Sequence, residues 1–577
     1  MKTIRLSLLF VFGALLIAFA VFAFDLGLDP SPGWGKSRAI AFALGIFLLA
    51  VFADLRFGLA WTETALAALP HPAFLKTSLD ERVRIPLVYG SAALAFLIAA
   101  TVHLWFASAG TWTTLPPASN YYDMLANAFS HGQVSLELEV PPQLLALPDP
   151  YIYEDRQGIE YLWDAILHQG KYYLYWGPMP AVLLTAVKLV RPLEVGDHIV
   201  VLASALGLTL FQTLLLTRIW MRSFRQLPAW TLFPVVLLAG LVAPVDWMIH
   251  RANIYEASIL SAQVFLMGGL YFAYRAFEQP DISPRWLAWT SIFWTCAVAS
   301  RSIIALTVIF LALLTAHGIL RRHGLSWTPR FNALVLALGL PLLTGAIGLG
   351  AYNAVRFGSV FDFGLDYMLT SHNNREFKGD FFSREYIAAN TYNYFLHGVQ
   401  RIRPFPYFRA TIGEETEVFG TAIPEPYYAE EVTGLVYILP FAIFAFVPAL
   451  QMVLKKLRRR DDADSEQGLN WLIAALSGAI LIVFGHIMIY CYGTMRYLAD
   501  ATPMMVVLAS LGFWTGYRAV KSDAFVCFAY TSFGFLLAAV SIAFPWLTAL
   551  LSAHRINQFS PQVLPALNQF FKSILSG

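Results

Sequence analysis

Apolar runs of about twenty residues recur along this chain, each bounded by a short polar turn. Hydrocarbon holds no water to hydrogen-bond a bare amide or carbonyl, so runs of this kind cross a bilayer as helices. The 577 residues are 58% hydrophobic and only 13% charged, about half the charged share of a soluble domain. A soluble globular chain is excluded. The net charge of +2 is too small to point to nucleic acid. Cys296, Cys491 and Cys527 lie inside apolar runs, show neither a disulfide framework nor metal-ligand spacing, and read as small buried residues.

The basic residues orient the spans. Lys2 and Arg5 precede an apolar run to residue 24, longer than the ~7–15 residues of a signal peptide core, so it reads as a retained span despite Ala18-Phe19-Ala20. Further spans are expected near 39–53, 86–106, 198–217, 231–249, 255–274, 287–300, 303–320, 333–354, 434–454, 471–490, 504–514 and 525–547. Arg82, Arg84, Arg218, Arg222, Arg275, Arg321, Lys455, Arg458 and Arg518 then share one side, cytoplasmic by the positive-inside rule. The expected fold is an all-α polytopic membrane protein of about thirteen spans, its N-terminus inside and its C-terminus outside. The short run 180–190 is placed on the outer surface as an interfacial helix, because a crossing there would reverse the later charge pattern.

Two polar segments interrupt the spans. The expected division is therefore 1–106 (N-terminal spans), 107–197 (first outer loop), 198–355 (central bundle), 356–433 (second outer loop) and 434–577 (C-terminal bundle). The first loop is rich in Pro and Gly and cannot face hydrocarbon. It holds two candidate catalytic carboxylates. Asp123 lies in 121–132, whose apolar residues keep helical spacing, where an acid serves as a dipole partner or as a general base at the membrane surface. Asp164 precedes a hairpin signal at Gln169-Gly170, where a capping role competes with a catalytic one. Lys171, Tyr172, Tyr173 and Trp176 follow, as headgroup anchors or as faces for a sugar.

Ionisable residues also gather at the outer ends of spans: Arg251 and Glu256 at one turn, Arg301, Arg356, then Arg496 with Tyr497 and Asp500. Snorkelling accounts for any one of them; together they suit an anionic group at the outer leaflet. Asp462-Ala463-Asp464 imitates a nucleotide-sugar metal motif but reads as a solvated charge run behind a basic stretch. There is no P-loop, dinucleotide fingerprint or metal-ligand histidine spacing.

With these residues in view, the chain resembles the GT-C class of membrane glycosyltransferases, which includes the protein mannosyltransferases and the bacterial aminoarabinose transferase. Tyr122-Asp123-Met124-Leu125 through Gly132 looks like the helix after the first long span of that class. Gly177-Pro178-Met179-Pro180 through Arg225 looks like its interfacial helix, next span and basic end. Lys171-Tyr172-Tyr173-Leu174-Tyr175-Trp176-Gly177-Pro178, Tyr352-Asn353 and Arg496-Tyr497 look like a bacterial subgroup that brings no substrate with it. Ser119-Asn120 stands where the class carries an acid, which displaces the candidate to Asp123. The resemblance implies sugar transfer from a polyprenyl-phosphate-linked donor to an envelope glycan, lipid or protein acceptor. It also implies a bacterial inner-membrane location, an active site on the periplasmic face, and a divalent metal as an open option. A multi-span transporter or lipid or polysaccharide flippase is the alternative; transporters favour paired repeats and sites at the bilayer midplane. A scaffold subunit is the third reading.

Overall fold

The computed structural model describes residues 2–23, 36–57, 81–451 and 467–576, except 326, 378, 404, 414, 426 and 449. Lys455, Arg458, Asp462 and Asp464 lie outside the described residues. The chain forms two compact units, Met1–Lys76 with Ala519–Ser532, and Thr77–Arg518 with Phe533–Gly577. The first contains helices α1 (Lys2–Phe22) and α2 (Lys36–Phe57), packed on each other.

Among the described residues, eight helical segments are long and apolar enough to cross a membrane: Ile85–Ala107, Asp197–Ser223, Ala229–Arg251, Ile254–Phe277, Ser302–His323, Pro329–Phe357, Gln467–Ile487 and Ala524–Ala549. The protein is an integral membrane protein. The sequence count of about thirteen also includes α1, α2, the helices Pro284–Ser300 and Thr502–Val520, and residues 434–454. The last of these is interrupted. A turn of helix at Leu435–Ile438 gives way to a 3₁₀ stretch at Pro440–Ala445, because Pro440 has no amide hydrogen for the preceding turn. The core of the second unit forms where Ile254–Phe277 packs between Asp197–Ser223 and Pro284–Ser300, with Trp220, Trp294 and Trp514 fully buried. Each such indole removes about 150–250 Å² from its surroundings.

The first polar segment folds largely as its pattern requires. Helix α3 (Tyr121–Ser130) buries Tyr122, Leu125 and Ala126 on one side. Its first turn is capped from outside, since the carboxylate of Asp197 accepts from the Tyr121 and Tyr122 amides at 2.9 and 3.1 Å. Ser119, at the position where an acid was expected, donates its hydroxyl to Asp197 instead. Strands β1 (Ile166–His168) and β2 (Lys171–Tyr173) pair antiparallel through Gln169 (φ +50°) and Gly170 (φ +73°), a two-residue turn with both φ positive as hairpin twist demands. Helix α4 (Met179–Val190) has 12 residues, too few to cross at ~1.5 Å each, and exposes Val182, Leu183, Val187, Leu189 and Val190.

The second polar segment contains a three-stranded antiparallel sheet of Val399–Arg401, Phe408–Ile412 and Glu431–Val432. Just before the last strand, Tyr428–Ala429 pairs in parallel with Tyr492–Gly493, which follows the span Gln467–Ile487. That pairing brings two distant stretches of sequence together at the site. The three cysteines are free and only half-buried, not buried as their apolar context implied.

Candidate active site

A cavity of about 630 Å³ opens where the two long polar segments meet the ends of the spans. Trp163, Asp164 and Trp176 come from the first segment, Tyr255 and Arg301 from span ends, and Glu430 with Arg496 from just beyond the two parallel strands. Trp176 reaches the wall because Gly177 lies against the backbone at Ala299, where an added Cβ would sit 2.1 Å from the carbonyl oxygen.

Asp164 adopts a left-handed backbone (φ +54°), a conformation Asp tolerates better than most residues. Its amide donates to the Leu369 carbonyl (3.0 Å), the Leu369 amide donates to Ala165 (2.9 Å), and the Arg156 guanidinium donates to the Thr370 carbonyl. These bonds tie the two polar segments together and turn the carboxylate inward. Oδ2 accepts the Tyr255 hydroxyl, while buried Oδ1 has no well-formed hydrogen bond among the described residues. Burial pushes the Asp164 carboxyl above the ordinary carboxylate range, with Tyr255, Thr370 and Arg496 pulling partly the other way.

Arg496 grips Glu430 with both terminal nitrogens, at 2.6 and 3.2 Å. Glu430 also accepts from Tyr492 (2.6 Å) and Thr494 (3.0 Å). Burial would raise the Glu430 carboxyl, but Arg496 and Tyr492 outweigh it and hold it below the usual value. The Arg496 guanidinium lies 4.7 Å from the Tyr255 ring centre, so one tyrosine touches both the buried carboxylate and a guanidinium. Arg301 pairs with Asp500 at 3.1 Å, and Gln263 holds the other Asp500 oxygen at 2.9 Å. Nε of Arg301 has no hydrogen bond among the described residues.

No protein-family model and no curated protein matches this sequence. Among solved structures the chain is similar to the Archaeoglobus fulgidus oligosaccharyltransferase in the apo form, at 13% identity over 80% of this chain and 56% of that one, with a TM-score of 0.41. The chain thus spans little more than half the length of the archaeal protein. It is also similar to ArnT from Cupriavidus metallidurans bound to undecaprenyl phosphate, at 13% identity over 81% of this chain and 77% of that one, with a TM-score of 0.39. The apo state of ArnT gives 14% identity, the same coverage and a TM-score of 0.39. What the cavity can do is decided by its own residues.

Of the residues singled out from sequence, Asp164, Trp176, Arg301, Arg496 and Tyr497 line the cavity. Asp123 does not. Its Oδ1 takes an ion pair from Lys188 (2.7 Å) and the Val195 amide (2.8 Å), which fastens α3 to α4 and its following loop. Lys171 is exposed at the hairpin turn, and Tyr172 and Tyr173 are buried away from the cavity. Glu256 completes a capping box with Asn253, and Asp500 lies beyond Arg301 rather than on the wall. Arg251 pairs with Glu431 at 3.2 Å. Arg356 donates to the Leu174 carbonyl (2.7 Å) and Asn353 (2.6 Å) and packs 3.9 Å from the Tyr352 ring centre. Sequence reasoning missed Tyr255, His372 and Glu430. The run Glu425 to Glu430, acidic and aromatic by turns, is the one signal that could have pointed to the second loop. Among the described residues no group of three or more His, Cys, Asp or Glu is placed to hold a metal ion.

Lys188→Ala leaves the buried Asp123 carboxylate without its counter-charge, with the Val195 amide still donating, an expected loss of about 3 kcal/mol of stability. Activity per folded molecule should stay near wild type. Thermal melting beside turnover checks both, and a stable but inactive variant would bring Asp123 back as a functional group.

Proposed function

We propose that this protein is a glycosyltransferase that moves a sugar from a polyprenyl-phosphate donor to an acceptor hydroxyl, with Asp164 as the general base. One observation carries the reading: an inward-turned buried carboxylate and two guanidiniums share the wall of one cavity at the loop end of a membrane bundle. Asp164 takes the acceptor proton, and the freed oxygen bonds to the anomeric carbon with inversion. The bond from that carbon to the phosphate oxygen breaks, and polyprenyl phosphate leaves with the electron pair. Arg301, on the cavity lining, meets the leaving phosphate; Arg496, whose terminal nitrogens hold Glu430, supplies a fixed positive charge. A lipid-borne donor needs no nucleotide-binding domain, which fits the absence of any nucleotide fingerprint in the sequence. The charge bias of the loops supports a cavity on the non-cytoplasmic face. A site at span ends, away from the bilayer midplane, favours transfer over transport.

The reading is tested by release of polyprenyl phosphate from lipid-linked sugars by the purified protein; no release from any donor, with envelope acceptors present, would end it. Its pH dependence is a further test. A base must be ionised, and burial raises Asp164, so kcat/KM should fall on the acid side with an apparent pKa above the ordinary carboxylate value of about 3.9. Tyr255 donates to the charged form, so Tyr255→Phe should move that limb to higher pH. A limb left in place would detach Tyr255 from the base.

A further inference from the structure

Trp163 and Trp176 both line the cavity, yet Trp176 is 8% exposed and Trp163 is 40% exposed. Trp163 is nonetheless firmly held. Its ring stacks on Tyr161 (6.1 Å, 30°) and meets Tyr153 edge-on (6.0 Å, 87°). Its carbonyl accepts the Tyr121 hydroxyl at 2.6 Å. Beneath the tyrosines the buried Arg156 guanidinium lies 4.7 Å from the Tyr161 ring centre and 5.6 Å from that of Tyr153. The cavity margin thus carries an aromatic shelf, one residue from the proposed base, and the Ser371 hydroxyl and the His372 imidazole line the same cavity.

A broad, uncovered π face beside hydrogen-bonding groups suits a ligand that is apolar on one face and hydroxylated around its edge. A pyranose ring has that character: its axial C–H bonds form the apolar face, and its hydroxyls radiate in the ring plane. An acyl chain would leave the polar neighbours unused. We propose that Trp163, with Tyr161 behind it, seats a pyranose ring of the acceptor, which makes the acceptor a carbohydrate. This rests on Asp164 being the base, because the ring on Trp163 then presents a hydroxyl next to it.

The test is binding, independent of turnover. Methyl glycosides of glucose, mannose, galactose and N-acetylglucosamine are offered to the full chain in nanodiscs, and saturation-transfer NMR reads which ring hydrogens touch protein. At least one glycoside should bind through ring C–H positions. Trp163→Leu, which keeps an apolar side chain but removes the π face, should weaken it about ten-fold, and Trp163→Phe should retain most of it. Saturating undecaprenyl phosphate should leave the signal in place. Displacement by that lipid would make the shelf the donor's seat and overturn the assignment. So would glycoside binding indifferent to Trp163→Leu, or no glycoside binding by a protein that still releases polyprenyl phosphate. Trp163-dependent binding in a protein that transfers nothing would keep the carbohydrate site and remove only the transfer reading.

Discussion

Asp164→Asn is expected to stop sugar transfer while leaving a folded protein. Asn keeps the shape and can still accept the Tyr255 hydroxyl through its amide oxygen, but it cannot take a proton. The loss should reach at least the ~10²–10⁴-fold that a positioned general base supplies. Stability should move the other way. Burial raises the Asp164 carboxyl in the folded state, so ionising it costs stability once the pH exceeds its ordinary value. The neutral amide removes that cost, and the variant should melt at or slightly above wild type at neutral pH, with the difference vanishing in acid below about 3.9. Turnover and melting on one preparation decide it. An Asp164→Asn protein that transfers sugar at more than about a tenth of the wild-type rate would end the role assigned here.

Arg496→Ala should be damaging in two ways. Glu430 is mostly enclosed and gives two oxygens to Arg496, so among the described residues the variant strands a carboxylate with Tyr492 and Thr494 as its remaining donors. Removing one partner of a buried pair costs about 3–5 kcal/mol, and the partial exposure of Glu430 places this case near the lower end. Because Arg496 holds the Glu430 carboxyl below its ordinary value, the stabilisation is present above about 4.3 and is lost as pH falls through the depressed folded value. The gap between wild type and variant should therefore close in acid. Transfer should also drop about ten- to a hundred-fold from the lost positive charge at the leaving phosphate. Adding Glu430→Gln should restore much of the stability and none of the rate. Restored rate would make Arg496 purely structural.

The membrane class, most of the span boundaries, the hairpin at Gln169-Gly170 and the short surface helix were legible in the sequence, because each rests on local physics: hydrophobic length, backbone hydrogen bonding and turn geometry. The broken segment at 435–445 was partly legible in Pro440, but its apolar composition outweighed that single proline when spans were read by hydropathy. The two carboxylates show the limit more sharply. Asp123 had the better local credentials, on an amphipathic helix close to a span, whereas Asp164 looked like a turn residue. Only the tertiary structure brings Lys188 and the Val195 amide to Asp123, and turns Asp164 inward through its bond to Leu369, some two hundred residues away. Arg496 was found from sequence, but Glu430 was not, since their meeting depends on a parallel strand pair between segments that no local pattern connects. Hydrophobic length and periodicity determined which segments form long apolar helices. Which charges are neutralised, and which one faces the cavity, was decided by long-range pairing, because a carboxylate's chemistry is set by its neighbours in space and not by those in sequence.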